Sequence, residues 1–338
     1  MAPLRTYSRY LLRVLSGLVA VLLLIALISQ TGMFRNWLRQ VLIEQANANL
    51  NGRLSIEALE GNLLTSISVH GLTLSTMEND TIVHLPELSL RIQPGLLLRN
   101  TVSIELLALK RPVVFLRQRA DSSWNISAVI KETGQETQDI PAPSNWTLNI
   151  ANTELIDGSL VLKRLDSSGP VPDTIRNINA MLSLRYSQAG SDIELRNLSI
   201  LTANPDFTID RLGFHLTYQD SLIRIDDLLM QAGNSRLKGS VLANPDKALL
   251  DLDLKASPLD LEDVRTFFPQ LRASGRYSVA LTARHEQDSL HLALTLADQK
   301  QHLGLQGFAA DLSSTSVRYG AAMNFSNVSP VKWLPEWP

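Results

Sequence analysis

Ser289–Leu296 alternates without a break: Leu290, Leu292, Leu294 and Leu296 share one parity, and Ser289, His291, Ala293 and Thr295 the other. A run with a period of two is an extended strand with one apolar face and one wet face. The same pattern recurs along the chain. Leu250, Leu252 and Leu254 alternate with Asp251, Asp253 and Lys255. Leu212, Phe214, Leu216 and Tyr218 alternate with Gly213, His215 and Thr217, and Val102, Ile104 and Leu106 with Ser103 and Glu105. Turn formers punctuate these runs at Glu78-Asn79-Asp80, Asn204-Pro205-Asp206, Gln231–Ser235 and Asn244-Pro245-Asp246, a spacing of about ten residues that predicts antiparallel hairpins. Beyond Asn51-Gly52 only Leu259–Phe268 reads as a helix, with Asp260 as N-cap, Glu262 and Asp263 in its first turn and Pro269 as its stop. The fold expected is mostly β: an elongated, repeated, antiparallel-rich sheet.

The first fifty residues differ. Val14 to Phe34 are 21 consecutive residues without a charge. As a helix they reach roughly 31 Å, about one hydrocarbon core. Arg5, Arg9 and Arg13 precede the span, which favours a cytoplasmic N-terminus. Val14, Leu18, Leu22, Ile25 and Ile28 are its expected anchor residues. Phe34, Trp37, Leu38, Val41 and Leu42 then recur at helical spacing, and Trp37 between Arg35 and Arg39 suits a membrane interface. A cleaved signal peptide is the alternative; no small-x-small cleavage site follows Ile28, which favours an uncleaved anchor. Either way the remainder crosses a membrane. The chain divides into a cytoplasmic terminus (1–13), a span (14–34), an amphipathic helix (35–50), a first β region (51–130), a polar loop or linker (131–144) and a second, repeated β region (145–338). The repeat rests on Ala256–Leu261 and Phe325–Pro330, 69 residues apart when Leu259 is matched to Val328.

Chemistry is sparse. Lys+Arg 31 against Asp+Glu 33 argues against a nucleic-acid partner. The absence of cysteine excludes a thiol nucleophile and cysteine-ligated metals. His285-Glu286 begins like a zincin helix, but position 289 is Ser. His291 falls on a polar strand face and His285 in a turn-like stretch. The acidic pairs Asp226-Asp227, Asp251/Asp253 and Glu262-Asp263 read as wet faces and a helix first turn. No cofactor, metal or enzymatic activity is expected.

Strands with one apolar face need a cover, and helices are nearly missing. A sandwich, a barrel and an open trough are the three solutions. Aromatic residues that fill compact sandwich cores are few (8 Phe, 6 Tyr, 5 Trp), and leucine dominates the apolar parity. That favours a trough lined by Val102, Ile104, Leu212, Phe214, Leu216, Leu250, Leu252, Leu254, Leu290, Leu292, Leu294 and Leu296. Acyl chains would fill it, each buried methylene contributing roughly 0.8 kcal/mol.

Four segments carry a family resemblance: Leu54–Leu74 (LSIEALEGNLLTSISVHGLTL), Leu85–Arg99 (LPELSLRIQPGLLLR), Val102–Leu116 (VSIELLALKRPVVFL) and Pro258–Pro269 (PLDLEDVRTFFP). Together with the N-terminal anchor they resemble the AsmA-like superfamily, in particular the N-terminal portion of its TamB-type members, the inner-membrane subunits of translocation and assembly modules. The resemblance implies a single-pass bacterial inner-membrane protein with its bulk in the periplasm. Its β-groove would carry phospholipid toward the outer membrane, support outer-membrane protein assembly, or both, with an outer-membrane β-barrel as partner. TamB-type members are usually much longer, so the chain is expected to be a fragment or a shorter paralogue. Two other readings stay open: an anchored β-sandwich that serves as a structural or interaction protein, and an anchored hydrolase, for which no clustered polar site is evident.

Overall fold

The computed structural model describes residues 31–62, 65–131, 145–165, 171–247, 249–268, 271, 273–286, 288–311 and 316–327. Helix α1 spans Gly32–Asn49. Thr31 caps it: its backbone is extended (φ -75, ψ 146) and its hydroxyl accepts from the Phe34 N–H at 3.3 Å. The amphipathic helix expected over 35–50 therefore begins at Gly32, and the Thr31 cap takes Met33 and Phe34 into α1. Val14, Leu18, Leu22, Ile25 and Ile28 lie outside the described residues. Among those described, no helix is long and apolar enough to cross a membrane.

Among the described residues the strands form one sheet of 17. They are β1 (Gly52–Ser55), β2 (Ala58–Asn62), β3 (Ser66–Thr76), β4 (Thr81–Ile92), β5 (Thr101–Lys110) and β6 (Val113–Arg117). After a crossover come β7 (Thr147–Lys163), β8 (Thr174–Ser187), β9 (Gly190–Ala203), β10 (Phe207–Gln219), β11 (Leu222–Ala232), β12 (Ser235–Asn244) and β13 (Leu249–Asp260). Helix α2 (Leu261–Phe267) intervenes before β14 (Arg276–Glu286), β15 (Ser289–Ala297), β16 (His302–Ala310) and β17 (Arg318–Ser326). β1 and β2 share one edge of β3, and β5 and β6 share one edge of β4. Seventeen strands less these two doublings make fifteen rungs, each paired with the next in chain order.

Not every pairing is an antiparallel hairpin. β5 and β6 run parallel to β7, and the crossover between them occupies residues 118–146. A parallel neighbour needs such a connection because the chain must return to the end it left. Of the predicted linker 131–144, residues 132–144 lie outside those described; its two flanks belong to the same sheet. Within the crossover Asn125 is 3% exposed. Its amide donates to the Phe115 carbonyl at 3.1 Å and its oxygen accepts from the Arg117 N–H at 3.0 Å, which holds the crossover to β6.

The outer edge of the first rung is blunted by α1. Asn47 accepts from the Leu54 N–H at 2.7 Å, and Arg39 donates to the Ile56 and Glu57 carbonyls, at 3.3 and 2.5 Å, where the edge strand breaks between β1 and β2. Side chains thus satisfy the backbone groups that an open edge would present. Leu38 and Ile43 of α1 pack on Ile56, Leu59 and Val69.

Helix α2 is shorter than the sequence suggests, since Leu259 and Asp260 belong to β13 and Phe268 is the helix C-cap. Asp260 is its N-cap and accepts from the Glu262 N–H and from Arg276 Nε, both at 3.1 Å, with only 8% of its side chain exposed. Ser235 accepts from the Asp260 N–H at 2.9 Å and donates to Asp263 at 2.6 Å, tying the β11–β12 turn to the helix. Burial pushes the Asp260 pKa up, but the Arg276 guanidinium and the Glu262 N–H outweigh burial and hold the carboxyl below its ordinary value. A depressed native pKa contributes stability that is present above the unfolded value of ~3.9 and lost as pH falls through the native one. The urea midpoint is expected to drop between about pH 5 and pH 3, and Asp260→Asn to flatten that part of the profile. An unchanged slope in the variant would show that the cap carries no pH dependence.

Candidate functional site

Residues directly opposite in adjacent strands point to the same face. Followed through the registers, one row starts at Leu59 and passes through Val69, Leu88, Leu109 and Leu155. It continues through Ala180, Leu198, Leu212, Met230 and Leu237. Ala256, Val279, Leu296, Leu303 and Phe325 complete it. All fifteen rungs contribute one residue each, and every one is apolar.

A second row lies beside it. Ile92, Ile104, Ile150, Leu184, Ile193 and Leu216 lead into Ile225, Val241, Leu252, Ala283 and Leu292, and Gly307 and Ala321 end it. Between the two, Leu254 and Leu294 align through Leu281, and Phe214 faces Leu195. Val102 faces Leu148 on a rim row that also holds Tyr186, Tyr218 and Leu250, while Leu290 faces Ala309. The registers bring all twelve sequence-predicted lining residues onto this face. The opposite face is wet: Asn149, Arg185, Asp192, Thr217 and Arg224 face one another in turn.

Exposure varies along the first row. Leu59, Val69 and Ala256 are buried, Phe325 is exposed, and the other eleven are half-buried. The cover is local. Helix α1 sits on Leu59 and Val69, and α2 packs Leu261 and Val264 with Tyr277, Val279 and Leu296. Phe267 of α2 meets Phe207 of β10 edge-on, ring centroids 4.8 Å apart, so that helix lies along one rim. Elsewhere Leu292, Leu305 and Met323 remain 44%, 37% and 62% exposed.

The alternation shifts phase where β-bulges intervene. Glu105 is an extra residue between the Ile104/Ile92 and Leu106/Arg91 pairs, so Leu106 lands on the wet face and Leu107 replaces it. Comparable breaks fall at 151–152 in β7, at Arg196 in β9 and at Asp227 in β11. Side chains satisfy the carbonyls there. Asn152 donates to the Glu105 carbonyl at 3.2 Å; Arg196 donates to the Ala151 carbonyl at 3.1 Å and to Asn152 Oδ1 at 2.9 Å. A bulge bends its strand and sharpens the twist, so a line of them across alternate strands makes a crease. Sequence reasoning passed over these positions. Their signal is a polar pair between apolar residues, as in Leu195-Arg196-Asn197-Leu198 and Ile225-Asp226-Asp227-Leu228. The Asp226-Asp227 pair is thus a bulge. His285, expected in a turn, lies in β14, because the strand extends to Glu286, and its N–H donates to Asp251 at 2.9 Å.

Among the described residues, no cluster of three His, Asp or Glu side chains that could hold a metal ion is present. Compared with known proteins, the chain matches no family model, no curated protein and no solved structure. Arg196→Ala is expected to cost about 1 kcal/mol in stability by leaving the Ala151 carbonyl without its partner. Amide exchange should quicken in β7–β9 around the bulges and stay unchanged in β14–β16; uniform protection in the variant would contradict the brace.

Proposed function

We propose that the chain is a membrane-anchored carrier of acyl lipid, in which the sheet curls about its bulge line into an open groove and the apolar rows form the lining. The observation that carries this reading is the first row: one apolar residue on each of the fifteen rungs, with no polar interruption. Strands lie ~4.8 Å apart, so fourteen steps give a track of ~67 Å across the sheet. An acyl chain fills half of a ~30 Å hydrocarbon core, so it covers about three rungs at a time. Every three-rung stretch presents only apolar residues of the row, so a bound lipid can advance from one to the next without meeting a polar side chain in it.

Partial exposure favours a groove over a sandwich. An opposing layer ~10 Å away would bury the row from end to end. Here eleven of the fifteen residues of the row are only half-buried and Phe325 is exposed, with full burial at Leu59, Val69 and Ala256 alone. Contiguous exposed apolar surface of this extent needs an occupant, and a hydrocarbon chain is the one that asks for no polar complement. The resemblance to the AsmA-like superfamily points the same way. In that setting the chain is a single-pass inner-membrane protein of cell-envelope biogenesis with its sheet in the periplasm. It passes phospholipid toward the outer membrane, supports assembly of outer-membrane proteins, or both, and has no enzymatic role.

The test is capture of photoreactive phosphatidylethanolamine by the full chain in membrane vesicles. Wild type is expected to crosslink along β5–β16. Leu212→Asp and Leu252→Asp should each reduce crosslinking on the far side of the substituted rung by at least tenfold, since an unpaired carboxylate in an apolar track is strongly disfavoured. Thr295→Asp, on the wet face, should leave capture intact. A wild-type chain that takes up no lipid would overturn the reading and leave an anchored interaction scaffold.

A further inference from the structure

Along one rim of the apolar face is a cavity of about 490 Å³. It is lined by Val102, Leu148, Tyr186, Ser191 and Tyr218, which belong to the rim row, and by Trp146 and Gln188 among others. Among the described residues ten line it, and none of them is charged. A second cavity of about 390 Å³ shares Trp146, Thr147, Ser187 and Gln188 with it, and none of its described lining residues is charged. This is not general to the sheet. The cavity of about 790 Å³ beside β4 and β6 is lined by Asp80, Arg117, Lys163 and His84 among others.

Trp146, Tyr186 and Tyr218 are 45%, 57% and 45% exposed. Amphipathic aromatics of this kind suit a boundary between hydrocarbon and polar groups, with the ring on the apolar side and the heteroatom on the wet one. Gly190 keeps the wall thin: its φ is 147°, and a Cβ there would stand 2.3 Å from the Tyr218 carbonyl oxygen. The site thus brings the apolar side chains of Val102 and Leu148 together with hydroxyl, amide and aromatic groups.

We propose that this cavity receives the headgroup of a lipid whose acyl chains lie on the apolar face, and that it admits headgroups of zero net charge in preference to charged ones. The proposal rests on the lipid-carrying reading above. A net charge entering the cavity loses water and meets no counter-charge, whereas a zwitterion compensates itself and a glycosyl group needs only hydrogen bonds. Both carry the same chemistry, polar groups without net charge, and the experiment separates them.

Full chain in amphipol is titrated with three short-chain lipids that share dihexanoyl tails: phosphatidylcholine (zwitterionic), a glucosyl-glycerolipid (neutral) and phosphatidylglycerol (anionic). At least one of the first two is expected to bind fivefold or more tighter than the third, and which one identifies the source. Ser191→Lys places a cation in the lining and should reverse the order, with phosphatidylglycerol now preferred and its affinity falling with added salt. Equal affinities for all three in wild type, or an order that Ser191→Lys leaves unaltered, overturn the headgroup site while leaving acyl binding intact. Failure of all three to bind overturns the lipid-carrying reading as well.

Discussion

Cross-strand register is the constraint on which everything else depends. Alternation gives each strand an apolar side, but only hydrogen-bonded pairing decides which apolar residue meets which. A slip of one residue at any of the fourteen junctions would turn the rest of the sheet over and set leucines against the wet face. The chain avoids this with long pairings. β7 alone spans Thr147–Lys163 and pairs with β5, β6 and β8. The bulges at Glu105, 151–152, Arg196 and Asp227 lie in line, and the two apolar rows keep to one face on either side of them.

The two helices act at particular places rather than as a layer. α1 closes the first rungs and blunts the outer edge through Asn47 and Arg39. α2 is held to one rim by Asp260, Ser235 and Arg276. Neither reaches the middle of the face, around Leu184, Leu198 and Leu216, which stays half-buried. Folding therefore leaves a large apolar area incompletely covered, an arrangement that costs stability in water and that a hydrocarbon occupant would relieve.

Much of this could be read from the residues, unevenly and for physical reasons. β13 and β15 show their alternation openly, because Leu250–Leu254 and Leu290–Leu296 contain no bulge. The Asp260 cap was equally plain, since a carboxylate before an acidic first turn has few other uses. β5 misled at Leu106, where an extra residue turns the strand over. Thr31 was hidden inside an uncharged run that hydropathy reads as continuous. The parallel pairing of β5 and β6 with β7 left no local trace, because it depends on the path of the crossover rather than on either strand. Pairing between strands is set by turns and bulges together, so the rows themselves became visible only in three dimensions.

The absence of native cysteine makes the central claim directly measurable. Single cysteines at Leu109, Leu198, Leu252 and Leu303, spread along the two rows, can carry an environment-sensitive fluorophore. The full chain is then placed in vesicles whose lipids bear a quencher on the acyl chain. An open lipid-bearing track predicts quenching at all four positions and none at Thr295 on the opposite face. Labels that stay inaccessible to lipid and water alike would mean that the leucines interlock in a closed core, and the account given for this sheet would be wrong.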